Sequence, residues 1–150
     1  VRIYRFSDGV LEQLTDDHTE AWALVKEGKI TPEKALIYPG NRVLTQLLGG
    51  KGKLAPDIQV HPLKVEAGDC FLLCSNGVSH HLLGRNLEAC LNRHLNEQGC
   101  MSKDAAACIS QMAFDSSEGN DHASVVVLQA FPQVSRWTEM IQELESEPVG

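Results

Sequence analysis

Two polar corners hold the residues best suited to chemistry. One is Ser75-Asn76-Gly77, reached from Gly68-Asp69 through the apolar run Cys70-Phe71-Leu72-Leu73-Cys74. The other is Gly119-Asn120-Asp121-His122, which opens the apolar run from Ala123 to Leu128. Each corner stands at the end of a stretch that reads as a buried strand, a common place for a scaffold to display functional side chains. Asp121 offers a carboxylate and Asn76 a neutral amide oxygen. Hard divalent cations such as Mg²⁺ and Mn²⁺ take oxygen donors of this kind, and a carboxylate offsets part of their charge. If the two corners meet, a metal centre is the chemistry they could support. The competing reading is local: an Asx turn at Asp121, and at Asn76 a turn residue before a glycine with a positive backbone angle.

Other residues with reactive side chains have less around them. Cys74 lies beside Ser75, but no histidine partner is ordered for it, and its apolar strand favours core packing over nucleophilic catalysis. His80 and His81 are adjacent and face apart on any regular element, so they make a poor ligand pair. His61 and His94 carry no motif. The five cysteines, at 70, 74, 90, 100 and 108, include no Cys-x-x-Cys pair. The familiar spacings of thiolate zinc sites are missing, so these cysteines are expected to be reduced and mostly buried in an intracellular protein.

The elements that must position the corners are legible in outline. Residues 1 to 6 read as a strand, Ser7-Asp8-Gly9 as a turn, and residues 10 to 14 as the hairpin partner. A helix is expected to start near Asp17, which can cap it while Glu20 completes a capping box. Trp22 and Val25 mark its apolar side, and Gly28 stops it. Thr31-Pro32-Glu33 starts a short second helix that ends near Tyr38-Pro39. Residues 41 to 48 are ambiguous, and 49 to 53 form a glycine- and lysine-rich loop without the pattern of a phosphate-binding loop. Ile58 to Val65 alternates like a strand, with Pro62 favouring an edge or a bulge. After Cys70–Cys74, one helix uses Leu87, Cys90, Leu91, His94 and Leu95. A second begins after Ser102 and uses Ala105, Ala106, Ile109, Met112 and Ala113. Ala123 to Leu128 closes the order as a strand, and Trp137, Met140 and Ile141 mark one face of a tail helix. The pattern predicts an α+β fold with helices against a largely antiparallel sheet, either a complete two-layer domain or one half of a larger sandwich.

Composition sets the boundaries. The chain has 150 residues and a formal charge of -7, with 43% hydrophobic residues. That suits one domain with a core. The acidic balance disfavours nucleic acid and anionic membranes as generic partners. No apolar run is long enough to span a bilayer and no signal-peptide pattern occurs, so a cytoplasmic protein is the expectation. Val1 is not Met and already reads as strand, which leaves room for sequence ahead of it.

Taken in order, the motifs resemble the C-terminal half of a PPM/PP2C-type metal-dependent protein serine/threonine phosphatase, in its compact bacterial form. Arg2-Ile3-Tyr4 and Leu14-Thr15-Asp16-Asp17-His18-Thr19 match that family's Arg-x-Tyr strand and its Leu-Thr-x-Asp-His-Ser/Thr segment. Gly28-Lys29-Ile30-Thr31-Pro32-Glu33-Lys34-Ala35 and the segment from Asn41 to Gly49 follow in the family order. Pro56-Asp57, the block from Gly68 to Val78, and Gly119 to Ser124 complete it. The resemblance covers residues 1 to about 130, with 131 to 150 as a helix or tail beyond it.

The resemblance implies a β-sandwich flanked by helices, of which only the C-terminal part is visible. It implies two or more Mg²⁺ or Mn²⁺ ions and hydrolysis of phosphoserine and phosphothreonine in phosphoprotein substrates. Asp121 matches a metal-binding Asp, and Asp17 an accessory metal ligand. Asn76 stands where the family has a further metal-binding Asp, so an oxygen donor remains and its charge is lost. His18 matches a loop histidine and reads as structural, as does His122. The Arg-x-x-Asn-Glu-Asp and Asp-Gly-His-Gly segments of the family's N-terminal half are absent from this chain, so completing the site needs that half or another association. The alternative is a pseudophosphatase or regulatory interaction domain without activity, for which Asn76 speaks.

Overall fold

The computed structural model describes residues 1–46, 62–97 and 102–131, and they fall into two compact units. The expected strand at Ile58–His61 and the tail helix lie outside the described residues.

The first unit holds a four-stranded sheet in the order β2-β1-β3-β4. β1 (Arg2–Ser7) and β2 (Val10–Gln13) form the expected hairpin. Asp8 and Gly9 link them with φ of 51° and 83°, and two left-handed residues give the twist that a tight hairpin needs. β3 (Cys70–Cys74) and β4 (Val125–Gln129) run antiparallel, from Cys70 opposite Gln129 to Cys74 opposite Val125. Leu63 and Val65 do not extend the sheet; they lie in irregular, exposed chain leading to the turn at Ala67-Gly68.

Between the two core strands stand α3 (Asn76–Ser79), α4 (Gly84–Leu91) and α5 (Ser102–Ser116). Residues Asn92–Glu97 continue α4 as a wider π-helical stretch. Period sorts the side chains: Leu87, Cys90 and Leu91 on α4 and Ala105, Ile109 and Ala113 on α5 point inward at helical spacing. They meet Tyr4, Phe6, Cys70, Leu72 and Cys74 from one face of the sheet in a single core. Leu72, Leu87, Leu91 and Ile109 are wholly buried, each worth about 1.5–3 kcal/mol relative to exposure. Two polar ties fasten the hairpin to α4 and its extension. Glu88 accepts from the Leu11 amide at 2.8 Å, and the Asn92 side chain donates to the Gly9 carbonyl at 3.0 Å.

The second unit spans residues 13–62 together with Arg2. It contains α1 (Glu20–Lys26), α2 (Pro32–Ile37) and a short 3-10 turn at Pro39–Arg42. Thr31 caps α2 as expected, accepting from the Lys34 amide at 3.4 Å. The cap of α1 is a correction. Thr19, not Asp17, is the N-cap, accepting from the Trp22 amide at 3.2 Å. The helix begins two residues after the motif suggested. Asp17 is left ahead of it and is taken by Arg2 instead.

Candidate functional site

Strand register brings the two corners together. Beyond the last β3–β4 pair, the Ser75 amide donates to the Ser124 carbonyl and the Ser124 amide donates to Ser75 Oγ, both at 3.0 Å. Ser75 therefore spends its hydroxyl on the neighbouring strand rather than on capping α3. The chain leaving β3 and the chain entering β4 run side by side until each turns.

Gly77 shows how close they come. A Cβ added there would fall 2.0 Å from the His122 carbonyl oxygen and 3.3 Å from Asp121 Oδ1. The left-handed glycines among the described residues are Gly9, Gly28, Gly68 and Gly119. The positive-angle reading of this corner is thus corrected: Gly77 sits within α3, and glycine is needed because the other corner lies on top of it. Asn76, the first residue of α3, is exposed beside it.

Asp121 is held by three bonds. Its amide donates to Ser117 Oγ at 3.3 Å, and Ser117 is itself buried at the end of α5. Its Oδ1 accepts from the His122 amide at 2.8 Å. This bond reaches the next residue, so it is not the Asx turn of the local reading, which reaches two residues on. Its Oδ2 lies 3.2 Å from His81 Nε2. The His122 amide, then the His81 ring, hold the Asp121 carboxyl below the usual carboxylate range. The result is an anionic oxygen pair, 39% exposed, oriented at both oxygens and set against the Asn76 corner. Carboxylates that ligate a metal are themselves hydrogen-bonded, which fixes the direction of their donor oxygens.

His81 is the residue that sequence reasoning missed. One of the two adjacent histidines, His81, faces a carboxylate 40 positions away. No sequence signal links them, because the turn after α3 sets the direction of the ring. His122 contributes its backbone, as a structural reading of it requires.

Asp17 belongs to the second unit. Arg2 grips it with a fork, Nε to Oδ1 at 2.9 Å and Nη2 to Oδ2 at 2.5 Å. The two-point geometry matches a planar guanidinium to a carboxylate. Burial pushes the Cys70 thiol up to about 11, and burial first, then the hydrogen bond to Cys108, pushes Cys90 up to about 12.

No protein-family model matches the chain. Individual proteins do. A serine/threonine phosphatase, stp, of Listeria innocua is 30% identical over 128 residues, which is 85% of this chain and 48% of that protein. Among solved structures, the PPM Ser-Thr phosphatase MsPP from Mycobacterium smegmatis, in complex with cacodylate, superposes with a TM-score of 0.68 at 28% identity. It is matched over 87% of this chain and 52% of that one. The catalytic domain of the phosphatase PstP, in complex with two manganese ions, gives 0.64 at 30% identity, over 87% of this chain and 50% of that one. The motif order, the sheet and helices, and these relatives agree: the chain matches the C-terminal half of the fold of the bacterial PPM/PP2C-type serine/threonine phosphatases. It spans about half the length of the relatives it matches.

Proposed function

We propose that this chain forms the C-terminal half of a phosphatase domain that removes phosphate from phosphoserine and phosphothreonine in proteins, with Asp121 as a ligand of Mg²⁺ or Mn²⁺. The observation that carries the reading is the closure of the two corners, with Gly77 beneath the His122 carbonyl and Asp121 beside it. The donors fit a hard cation: a carboxylate kept ionised and oriented, with an amide side chain on the adjoining corner. Such ions, when bound, supply a more acidic water and screen the charge of a phosphate. The chain's own residues do the positioning. His81 and the His122 amide fix the Asp121 carboxylate, and the missing Cβ of Gly77 lets the His122 carbonyl close over that corner. Asp17 enters the proposal as an accessory donor, a role in which a cation competes with the Arg2 fork.

The sheet supports the half-domain reading. One face of β3 and β4 is covered by helices, while Val126 and Leu128 on the other face stay about half exposed, opposite Leu73 and Phe71. An apolar strand on both faces suits a sheet that packs on a second sheet. We assign that cover, the remaining ligands and the phosphate-binding Arg to the family's other half. The free cysteines at 70, 74, 90 and 108 support a reducing compartment, the cytoplasm. Among the described residues, no helix is long and apolar enough to cross a membrane.

The test is calorimetric titration of the full-length protein with Mn²⁺, alongside phosphate release from a phosphothreonine peptide. Asp121→Ala should weaken Mn²⁺ binding more than tenfold, about 1.4 kcal/mol, and reduce phosphate release with it. Equal binding by both proteins would remove Asp121 from the site. Asn76 favours the second reading, a binding domain without activity, because it lacks the charge a carboxylate would bring. Asn76→Asp separates the two: a gain in Mn²⁺ affinity without phosphate release in either protein supports the noncatalytic reading.

A further inference from the structure

Away from the Asp121 corner, three side chains that the phosphatase reading does not use converge from separate helical stretches. Cys90 comes from α4, His94 from the π-helical extension and Cys108 from α5. One ligand atom from each lies within 4.8 Å of the others. We propose that Cys90, His94 and Cys108 form a binding site for a thiophilic cation, Zn²⁺, with two thiolate sulfurs and one imidazole nitrogen as protein ligands.

Four observations carry the site. First, the donor set is soft, and sulfur with imidazole is the ligand chemistry of zinc rather than of the oxygen-seeking ions expected at Asp121. Second, His94 Nδ1 is buried and has no hydrogen-bond partner among the described residues, an unsatisfied polar atom in need of an explanation. Third, the three residues line one cavity of about 420 Å³, which leaves room for a water or another donor in a fourth position. Met112 also lines it, and the Cys108 thiol donates to the Met112 sulfur at 3.7 Å, so the wall beside the ligands is sulfur as well. Fourth, the helix widens where it must present both ligands. Cys90 lies in the last turn of the regular part and His94 in the π-helical part, a departure common at functional sites.

A redox-active dithiol fits these residues less well. Such a pair needs only the two sulfurs, whereas here an imidazole nitrogen closes the same cluster. On binding, each thiol releases its proton to solvent and its sulfur takes the cation, with no change of oxidation state. The absence of a Cys-x-x-Cys spacing does not bear on a site assembled from two helices. Cys90 and His94 stand one turn apart, and Cys108 arrives from the next helix.

The experiment uses the full-length protein, reduced and stripped of metal, with Co²⁺ as a spectroscopic probe and Zn²⁺ as competitor. The expected result is one equivalent of thiolate-bound Co²⁺ per chain, seen as a strong near-ultraviolet sulfur-to-cobalt band that Zn²⁺ abolishes. Cys90→Ser and Cys108→Ser should each greatly weaken that band. His94→Gln should keep sulfur absorption but lower affinity at least about tenfold, since even residues that only support a ligand contribute about 10–100-fold. Asp121→Ala should leave the band intact, which separates this site from the oxygen-donor corner. No band in reduced protein with a folded circular dichroism spectrum overturns the proposal. So does a band that survives in the Cys90→Ser, Cys108→Ser double variant. A thermal melt on each variant separates loss of ligand from loss of fold, and Cys108→Ala provides a second, apolar replacement.

Discussion

At the scale of the residue, the arrangement depends on one missing side chain. Gly77 has no Cβ, and the space where one would sit holds the backbone carbonyl of His122, 2.0 Å away. A backbone atom cannot swing aside as a long side chain can. Gly77→Ala must push apart the corner after β3 and the corner before β4. We expect a loss of about 1–3 kcal/mol, the usual cost of forcing added volume into a packed site, measured as a lower urea midpoint. Cation binding at Asp121 should fall along with it, because the displaced loop carries the carboxylate. An unchanged midpoint together with unchanged Mn²⁺ affinity would show that the two corners are not in fixed contact. His81 belongs to the same scale: a ring at 3.2 Å orients one carboxylate oxygen while the His122 amide orients the other.

At the scale of the element, the turn into β3 is pinned by a buried charge. Asp69 is 1% exposed. Its Oδ2 accepts from the Glu66 amide and from Arg5 Nη2 on β1, both at 2.8 Å. Its carbonyl accepts from the Ala130 amide just past β4 at 2.8 Å, and the neighbouring Gly68 amide donates to the Ala130 carbonyl at 2.9 Å. One residue thus ties β3 to both of its neighbours. The Glu66 amide first, and the Arg5 guanidinium as well, hold the Asp69 carboxyl below its usual range against the opposing effect of burial. A folded-state pKa below the unfolded value of about 3.9 means that ionisation favours the fold. That contribution is complete above about pH 4 and is lost as pH falls through the folded-state value. Asp69→Asn should therefore destabilise the protein at neutral pH by about 3 kcal/mol, near the lower end for breaking a buried pair because Arg5 keeps some contact with water. It should also flatten the acid limb of a plot of urea midpoint against pH. An acid limb as steep as in the parent protein would mean that other carboxylates carry it.

At the scale of the whole molecule, the informative surface is the open face of the sheet. Val126 is 52% exposed and Leu128 is 54% exposed, whereas Val125 and Val127 on the same strand pack against the core. If a second sheet covers the open face in the complete domain, Leu128→Lys should cost at least the transfer energy of the leucine, about 1.5–3 kcal/mol, by denaturant titration of the full-length protein. A change within about 0.5 kcal/mol is the signature of a side chain facing water and would contradict the sandwich.

Much of the molecule could be read along the chain, because much of it depends on neighbours in sequence. The Asp8-Gly9 turn, the Thr31-Pro32 helix start, the apolar run Cys70–Cys74 and the helical periods around Leu87 and Ile109 are local patterns with local causes. The motif order was enough to indicate the family. Asp17 shows where local reading stops: it has the right chemistry for a cap, yet Thr19 caps the helix and Arg2 takes the carboxylate, a choice set by the chain 15 residues earlier. The His81 ring beside Asp121, the carbonyl above Gly77, and the meeting of Cys90, His94 and Cys108 were all invisible in the linear order. Each rests on a distance between atoms far apart in the chain. Such distances follow from strand register and from the angle at which helices pack, and neither is written in any one segment.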